Sequence, residues 1–264
     1  AFLHAAMLQE RRGILKGWTL VLLLTTFCLT ILGTFMTRSG VFNSVHSFTQ
    51  SPIGPTFLVF LAITMAICVV LVALRMHLLV PEGEVKSVVS RESAFIVNNL
   101  LFVFFTFLVL VGTVFPLLAE AVRDVKISVG EPYFNRLGVP IAISIVFLMG
   151  IGPAMPWGRA TATEAWEALR GPAFVGLFVS GIAAALGVRD WLPALTVFAS
   201  AFAGTVAVRD MVTPALVRHE RGGVTRLEAA VDAFRRGRRR YGGQIVHLGV
   251  AVMAVGIALS SSYK

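Results

Sequence analysis

His4 and His247 stand 243 positions apart in a chain of 264 residues, yet their surroundings match. His4 lies near the end of an apolar stretch that runs into Glu10, Arg11 and Arg12. His247 lies just inside an apolar stretch that follows Arg238, Arg239 and Arg240. At about 1.5 Å per helical residue, His4 is roughly 9 Å inside its boundary and His247 roughly 6 Å past Gly243. Ionisable groups at such depth in a membrane are rare and usually face the protein interior. Two neutral imidazoles at one depth can hold a metal between two helices, and haem iron accepts histidine ligation. Alternatively, each imidazole hydrogen-bonds a neighbouring helix. Gly249, two residues past His247, would let a flat macrocycle or a helix approach closely. Arg238, Arg239 and Arg240 suit haem propionates, since guanidinium pairs well with carboxylate. Membrane topology alone also accounts for a basic cluster there.

A third histidine, His46, stands in the segment RSGVFNSVHSFTQSPIGP over residues 38–55. With Arg38, Ser39 and Asn43 nearby it can serve as an axial ligand at the outer surface; by itself it reads as a solvated side chain. His77 and His219, beside basic residues at span ends, read as interfacial or solvated. Cys28 and Cys68 lie in the middle of apolar spans, form no CxxC pair or zinc pattern, and read as small buried hydrophobes. No residue has the look of a nucleophile with its base.

Apolar residues make up 56% of the chain, charged residues 14%, and the mean hydropathy is +0.82, against about 25% charged in a soluble domain. Seven segments approach or reach the roughly 20 residues that cross a bilayer: Trp18–Thr37, Thr56–Leu79, Ala94–Leu118, Val139–Met155, Pro172–Gly187, Trp191–Val208 and Gly243–Ser262. The fifth is short and rich in Gly and Ala. Residues 1–9 read as the end of an eighth helix. Backbone groups must be satisfied within hydrocarbon, and period-two alternation is absent, so the fold class is all-α: a polytopic helical integral membrane protein. The expectation is a single transmembrane helical bundle over 1–264.

Residues 10–17, 75–92, 156–171 and 209–240 hold 17 of the 23 Lys and Arg. Basic residues concentrate on the cytoplasmic side, so that side is assigned to these loops. The net charge of +9 follows from this asymmetry, and no nucleic-acid partner is expected. Loops 38–55 and 119–138 then face outward. Gly130 and Pro132 favour a turn in the second. In the basic cytoplasmic segment 209–242, Val224, Leu227, Val231 and Phe234 repeat at helical spacing among Arg226, Arg235 and Arg236. This predicts an amphipathic helix at the lipid interface. A shorter helix is expected from Thr163, as N-cap, through Trp166 and Leu169. Asn98 and Asn99 either face the bundle interior or provide polar packing between helices. Glu131 and Tyr133 either meet a partner or shape the turn. The chain begins at Ala1 within an apolar stretch and lacks a signal-peptide pattern, so it reads as an internal piece of a longer protein.

Four stretches carry a family resemblance: FMTRSGVFNSVHSF at 35–48, SRESAFIVNNLLF at 90–102, ISVGEPYFN at 127–135 and RRRYGGQIVHLGVAVMAVG at 238–256. Through them the chain resembles the CcmF family, the haem lyase of bacterial and organellar cytochrome c maturation, over nearly its whole length. The resemblance implies that His4 and His247 ligate a permanent b-type haem in the bacterial inner membrane. It implies that His46 is the second of two periplasmic histidines on the substrate haem, with the first, and a tryptophan-rich segment, lying upstream. The implied reaction joins haem vinyl groups to the thiols of an apocytochrome CxxCH motif. Arg38, Ser39 and Asn43 would orient the incoming haem, and loops 38–55 and 119–138 would be periplasmic. Implied partners are a haem chaperone, apocytochrome c with its thiol-reducing and chaperone subunits, membrane lipid and quinol. Two rivals remain: a quinol-linked b-type cytochrome without a second haem, and a haem-free transporter or assembly scaffold.

Overall fold

The computed structural model describes residues 1–38, 53–125 and 127–262. Among them every long element is helical. In chain order these are α1 (Phe2–Arg12), α2 (Lys16–Arg38), α3 (Ile53–Arg75), α4 (Arg91–Arg123), α5 (Glu131–Ala154), α6 (Ala162–Ala185), α7 (Trp191–Gly222), α8 (Arg226–Arg236) and α9 (Arg238–Ser262), with a 3-10 turn at Met76–Leu79. Seven of them, all but α1 and α8, are long and apolar enough to cross a membrane. The chain is therefore an all-α, multi-pass membrane protein. It forms two compact units, residues 1–84 with 106–133 and residues 85–105 with 134–264.

In the first unit α1 ends at Gly13, whose φ of 66° is readily reached only without a side chain and whose N–H returns to the Gln9 carbonyl. The chain then enters α2. Thr26, Thr30 and Thr34 lie at successive turns, and each hydroxyl donates to the carbonyl four residues earlier, so these three are satisfied within the helix. In α3 only Gly54 and Leu61 are buried. Its apolar side chains point all round, as in a helix bathed by lipid or covered by protein. A short strap after the 3-10 turn crosses back to α1: the Glu82 N–H donates to the Gly13 carbonyl at 3.0 Å. Lys16 Nζ lies 2.6 Å from Glu82 Oε1, and that bond holds the Glu82 carboxyl below its ordinary range.

The second unit is built on close helix approach. Buried Ile143 and Val146 of α5 pack on Ala199 and Ala203 of α7, with Val250 and Ala254 of α9 against them. Gly150 allows this: a Cβ there would lie 2.6 Å from Cε1 of Phe202, a ring that is 1% exposed and stands 5.0 Å from Phe147. Gly176 of α6 does the same against Phe198. Arg91, at the start of α4, ties off the C-terminus of α5. Its Nε donates to the Met155 carbonyl at 2.8 Å, a second nitrogen donates to the Pro153 carbonyl, and its guanidinium lies 5.3 Å from the Trp157 ring centroid. A cation on the last carbonyls of a helix also opposes its dipole. Asn98 and Asn99 are buried, at 4% and 1% exposure.

Several expected boundaries shift. The N-cap of the helix expected from Thr163 is Thr161, in a reciprocal capping box with Glu164. That helix and the fifth span are one continuous α6 with Pro172 inside it; the Ala168 carbonyl, which the proline cannot serve, accepts from an Arg209 guanidinium nitrogen at 2.8 Å. The sixth span does not stop at Val208: α7 runs on to Gly222 and ends at Gly223 with φ 61°, since no left-handed residue intervenes sooner. Arg238, Arg239 and Arg240 form the first turn of α9 rather than a loop. The turn expected at Gly130 and Pro132 is present, the Tyr133 N–H donating to the Gly130 carbonyl at 3.2 Å, and it leads directly into α5 with Pro132 in the first turn, a position where its missing N–H costs little. Tyr133 reaches inward, its hydroxyl donating to the Leu108 carbonyl at 3.2 Å.

Candidate functional site

His247 belongs to a stripe of α9. Arg240, Gln244, His247 and Ala251 succeed one another at steps of four, three and four, so they share one face. Gln244 is 6% and Ala251 5% exposed, and His247 is half-buried. That face is anchored to α7 by Asp210. Arg240 Nε donates to Asp210 Oδ2 at 2.8 Å, and its second nitrogen donates to Oδ1. Gln244 Nε2 donates to Oδ2 at 2.8 Å. The adjacent Tyr241 hydroxyl donates to the Met211 carbonyl at 2.8 Å. Three residues of α9 thus grip two consecutive residues of α7. Beside them lies a cavity of about 180 Å³ lined by Pro153, Val206, Arg209, Asp210, Thr213 and Arg240.

Of the three arginines expected at propionates, Arg238 and Arg239 are exposed, while Arg240 is committed to Asp210. Next to His247, one turn earlier on the same face, Gly243 stands in the open: a Cβ there would meet nothing within 4 Å. An imidazole flanked by such open backbone fits a flat macrocycle ligated through its iron.

His4 lies in the first unit, on α1, half-buried. It is next to Ala5 and one turn before Leu8, both fully buried, so its face of α1 is the packed one. Arg38 ends α2 and is exposed. Ser39, Asn43 and His46 lie outside the described residues. Of the other histidines, His219 Nδ1 lies 2.7 Å from the Val224 carbonyl and His77 is exposed in the 3-10 turn. Cys28 and Cys68 are free, half-buried thiols. Among the described residues no group of three or more His, Cys, Asp or Glu gathers around a metal position.

Asp210, Gln244 and Tyr241 were not legible as site residues. The only signal was an acid just past an apolar span, in a segment otherwise dominated by arginine.

No family model matches the chain. Curated relatives do. It is 34% identical over 269 residues to the cytochrome c-type biogenesis protein CcmF of Pseudomonas aeruginosa, covering 100% of this chain and 39% of the relative. It is 34% identical over 267 residues to CcmF of Escherichia coli, with 100% and 39% covered. CycK of Bradyrhizobium diazoefficiens is 34% identical over 274 residues, with 100% and 40% covered. A solved structure titled cytochrome c heme lyase CcmF superposes with a TM-score of 0.69 at 29% identity, covering 99% of this chain and 37% of that one. The chain thus spans about two-fifths of the length of these relatives. With every predicted span matched by a helix and the likeness running from end to end, the chain belongs to the CcmF family of cytochrome c-type biogenesis proteins.

Proposed function

We propose that this chain is part of a haem lyase of cytochrome c maturation, in which His4 and His247 ligate a b-type haem and His46 receives the substrate haem. The end-to-end likeness to CcmF proteins, at 34% identity, carries this reading. The α9 stripe that fixes His247 beside open backbone supports it. In this reading the protein crosses the bacterial inner membrane several times and the reaction takes place at the periplasmic face.

A b-type haem would supply electron transfer, with its iron potential set by axial ligands and burial. His247 offers an imidazole on a face fixed by Asp210, and His4 offers one on the packed face of α1. Arg238 and Arg239, at the polar end of α9, suit the propionates. At the outer face, His46 holds the substrate haem by its iron while Arg38, Ser39 and Asn43 orient it. Each apocytochrome thiol then adds across a vinyl double bond. Sulfur bonds to one carbon, hydrogen goes to the other, and a thioether results without net redox change. Orientation of thiol and vinyl supplies much of the rate gain. Its partners in this reading are a haem chaperone, apocytochrome c with its thiol-reducing and chaperone subunits, and quinol as electron source.

The test is a reduced-minus-oxidised absorption spectrum of the full-length protein beside its His4→Ala, His247→Ala and His46→Ala variants. A b-type spectrum lost or altered in the first two, and kept in the third while maturation of a reporter cytochrome c stops, is expected. A full-length protein free of haem under haem-replete conditions would refute the membrane haem. Undiminished maturation with His46→Ala would refute the role of that residue.

A further inference from the structure

An acid at the polar end of a membrane helix normally faces water. Asp210 does not: its side chain is only 15% exposed. Both its oxygens are taken by α9, Oδ2 by two donors and Oδ1 by one. Arg240 and Gln244 are one turn apart, and His247 lies three residues past Gln244 on the same stripe. A carboxylate that accepts from two successive turns of a neighbouring helix fixes that helix in rotation as well as in depth. Elsewhere at this end α9 is held through Tyr241, while its glycines stand in the open. The Tyr241 hydroxyl fixes height against Met211, and the glycines Gly242 and Gly243 have no neighbours for a Cβ to meet. Deeper along α9 the contacts with α7 are apolar: Val250 and Ala254 pack on the Ala199 and Ala203 core, and Leu248 lies against Gly204. Apolar contact is non-directional, whereas the charge-assisted hydrogen bonds to Asp210 hold a definite angle.

We infer that Asp210 is the positioning residue for His247, its carboxylate setting the rotation of α9 through Arg240 and Gln244 and thereby the side on which the imidazole stands. The consequence for haem rests on the reading of His247 as an iron ligand. The rotation itself does not. The negative charge also partly neutralises Arg240.

The test uses the full-length protein with Cys28 and Cys68 replaced by Ser. A Cβ at Gly204 would lie 3.7 Å from Leu248 Cδ2, so cysteines at 204 and 248 report the rotation of α9 through a short bis-maleimide, with a 204 and 249 pair as the neighbouring register. Asp210→Asn keeps size and one acceptor oxygen. Its expected effects are loss of the 204–248 cross-link, gain at 204–249, and, without the cysteine pairs, a shift of the haem midpoint potential at unchanged protein level. Asp210→Glu is expected to restore all three. Wild-type cross-linking in Asp210→Asn overturns the inference. Haem absent from the wild type, or unaltered by His247→Ala, overturns the haem reading and leaves cross-linking to decide on rotation. Should Asp210→Asn fail to accumulate, Gln244→Leu decides: it removes one donor only, and wild-type cross-linking there overturns the inference equally.

Discussion

Gly150→Ala adds one methyl group at the most crowded contact between α5 and α7. The new Cβ would lie 2.6 and 2.7 Å from two carbons of the Phe202 ring and 3.0 Å from the Ala203 Cα. Ordinary contact needs 3.4 Å or more. The ring cannot simply swing away, since it is 1% exposed and packed between Phe147 and Phe198, with centroids at 5.0 and 6.3 Å. Either the helices separate or the ring leaves its rotamer, and overpacking of this kind costs about 1–3 kcal/mol relative to the same change in open space. That is roughly a 5- to 140-fold loss in the folding equilibrium. Gly181→Ala is the control. No atom lies within 4 Å of its added Cβ, and a helical Gly→Ala change there gains about 0.5–1 kcal/mol. The assay is unfolding of detergent-solubilised protein by titration with a denaturing surfactant, monitored by circular dichroism. Phe202→Leu combined with Gly150→Ala is expected to cost less than the sum of the two, because the smaller side chain yields the space. Equal stability of Gly150→Ala and Gly181→Ala, or strict additivity with Phe202→Leu, would refute the close-approach account.

Arg91→Lys is expected to destabilise nearly as much as Arg91→Ala, by about 1.5–3 kcal/mol, because a single ammonium cannot reproduce the guanidinium fork on the Pro153 and Met155 carbonyls; a near-normal midpoint for the Lys variant would refute it. Thr225→Ala removes the N-cap of α8 and should cost about 1 kcal/mol, seen as faster amide exchange over residues 226–229. The Thr225 N–H and hydroxyl hold the Glu228 carboxyl below its ordinary range. The folded value is thus the lower one, so this support is present above the unfolded pKa and lost as pH falls through the folded one. Protection at the start of α8 should decline on acidification in the wild type and be insensitive to pH over that window in Glu228→Gln; a pH-independent wild type would refute the linkage. His247→Ala should leave the fold intact while altering the haem spectrum, since the Asp210 grip on α9 uses Arg240 and Gln244 rather than the imidazole; loss of the folded protein would contradict that division of labour.

Much of the architecture was legible because apolar length is a direct consequence of bilayer thickness, and each of the seven expected spans falls on one of the seven long helices. The errors lie at the ends. Pro172 after Gly171 reads as a break, and Arg209 with Asp210 reads as the start of a loop. Yet a helix leaves hydrocarbon without ending when nothing in its backbone demands it. His247 stood out because an imidazole inside an apolar run is unusual by itself. Asp210 did not, because its meaning depends on Arg240 and Gln244, 30 and 34 positions later, and only the α7–α9 packing brings them together. Asn98 and Asn99 were legible as inward or interhelical polar residues, and both are buried. The reading of Ser39, Asn43 and His46 rests on sequence alone, since they lie outside the described residues.

A single residue, Gly237, separates α8 from α9. Its N–H returns to the Ala233 and Phe234 carbonyls, and Phe234 and Tyr241 meet across it with centroids 5.4 Å apart. Chain length here therefore acts as a phase setting. One residue added or removed turns all of α9 by about 100° relative to α8, enough to carry Arg240 and Gln244 off Asp210 or to tear Phe234 from Tyr241. Natural variation in length should thus avoid 237. A tag or epitope placed at the α8–α9 joint would act as a change of gear on the helix that bears His247, even though it touches none of the residues around that imidazole.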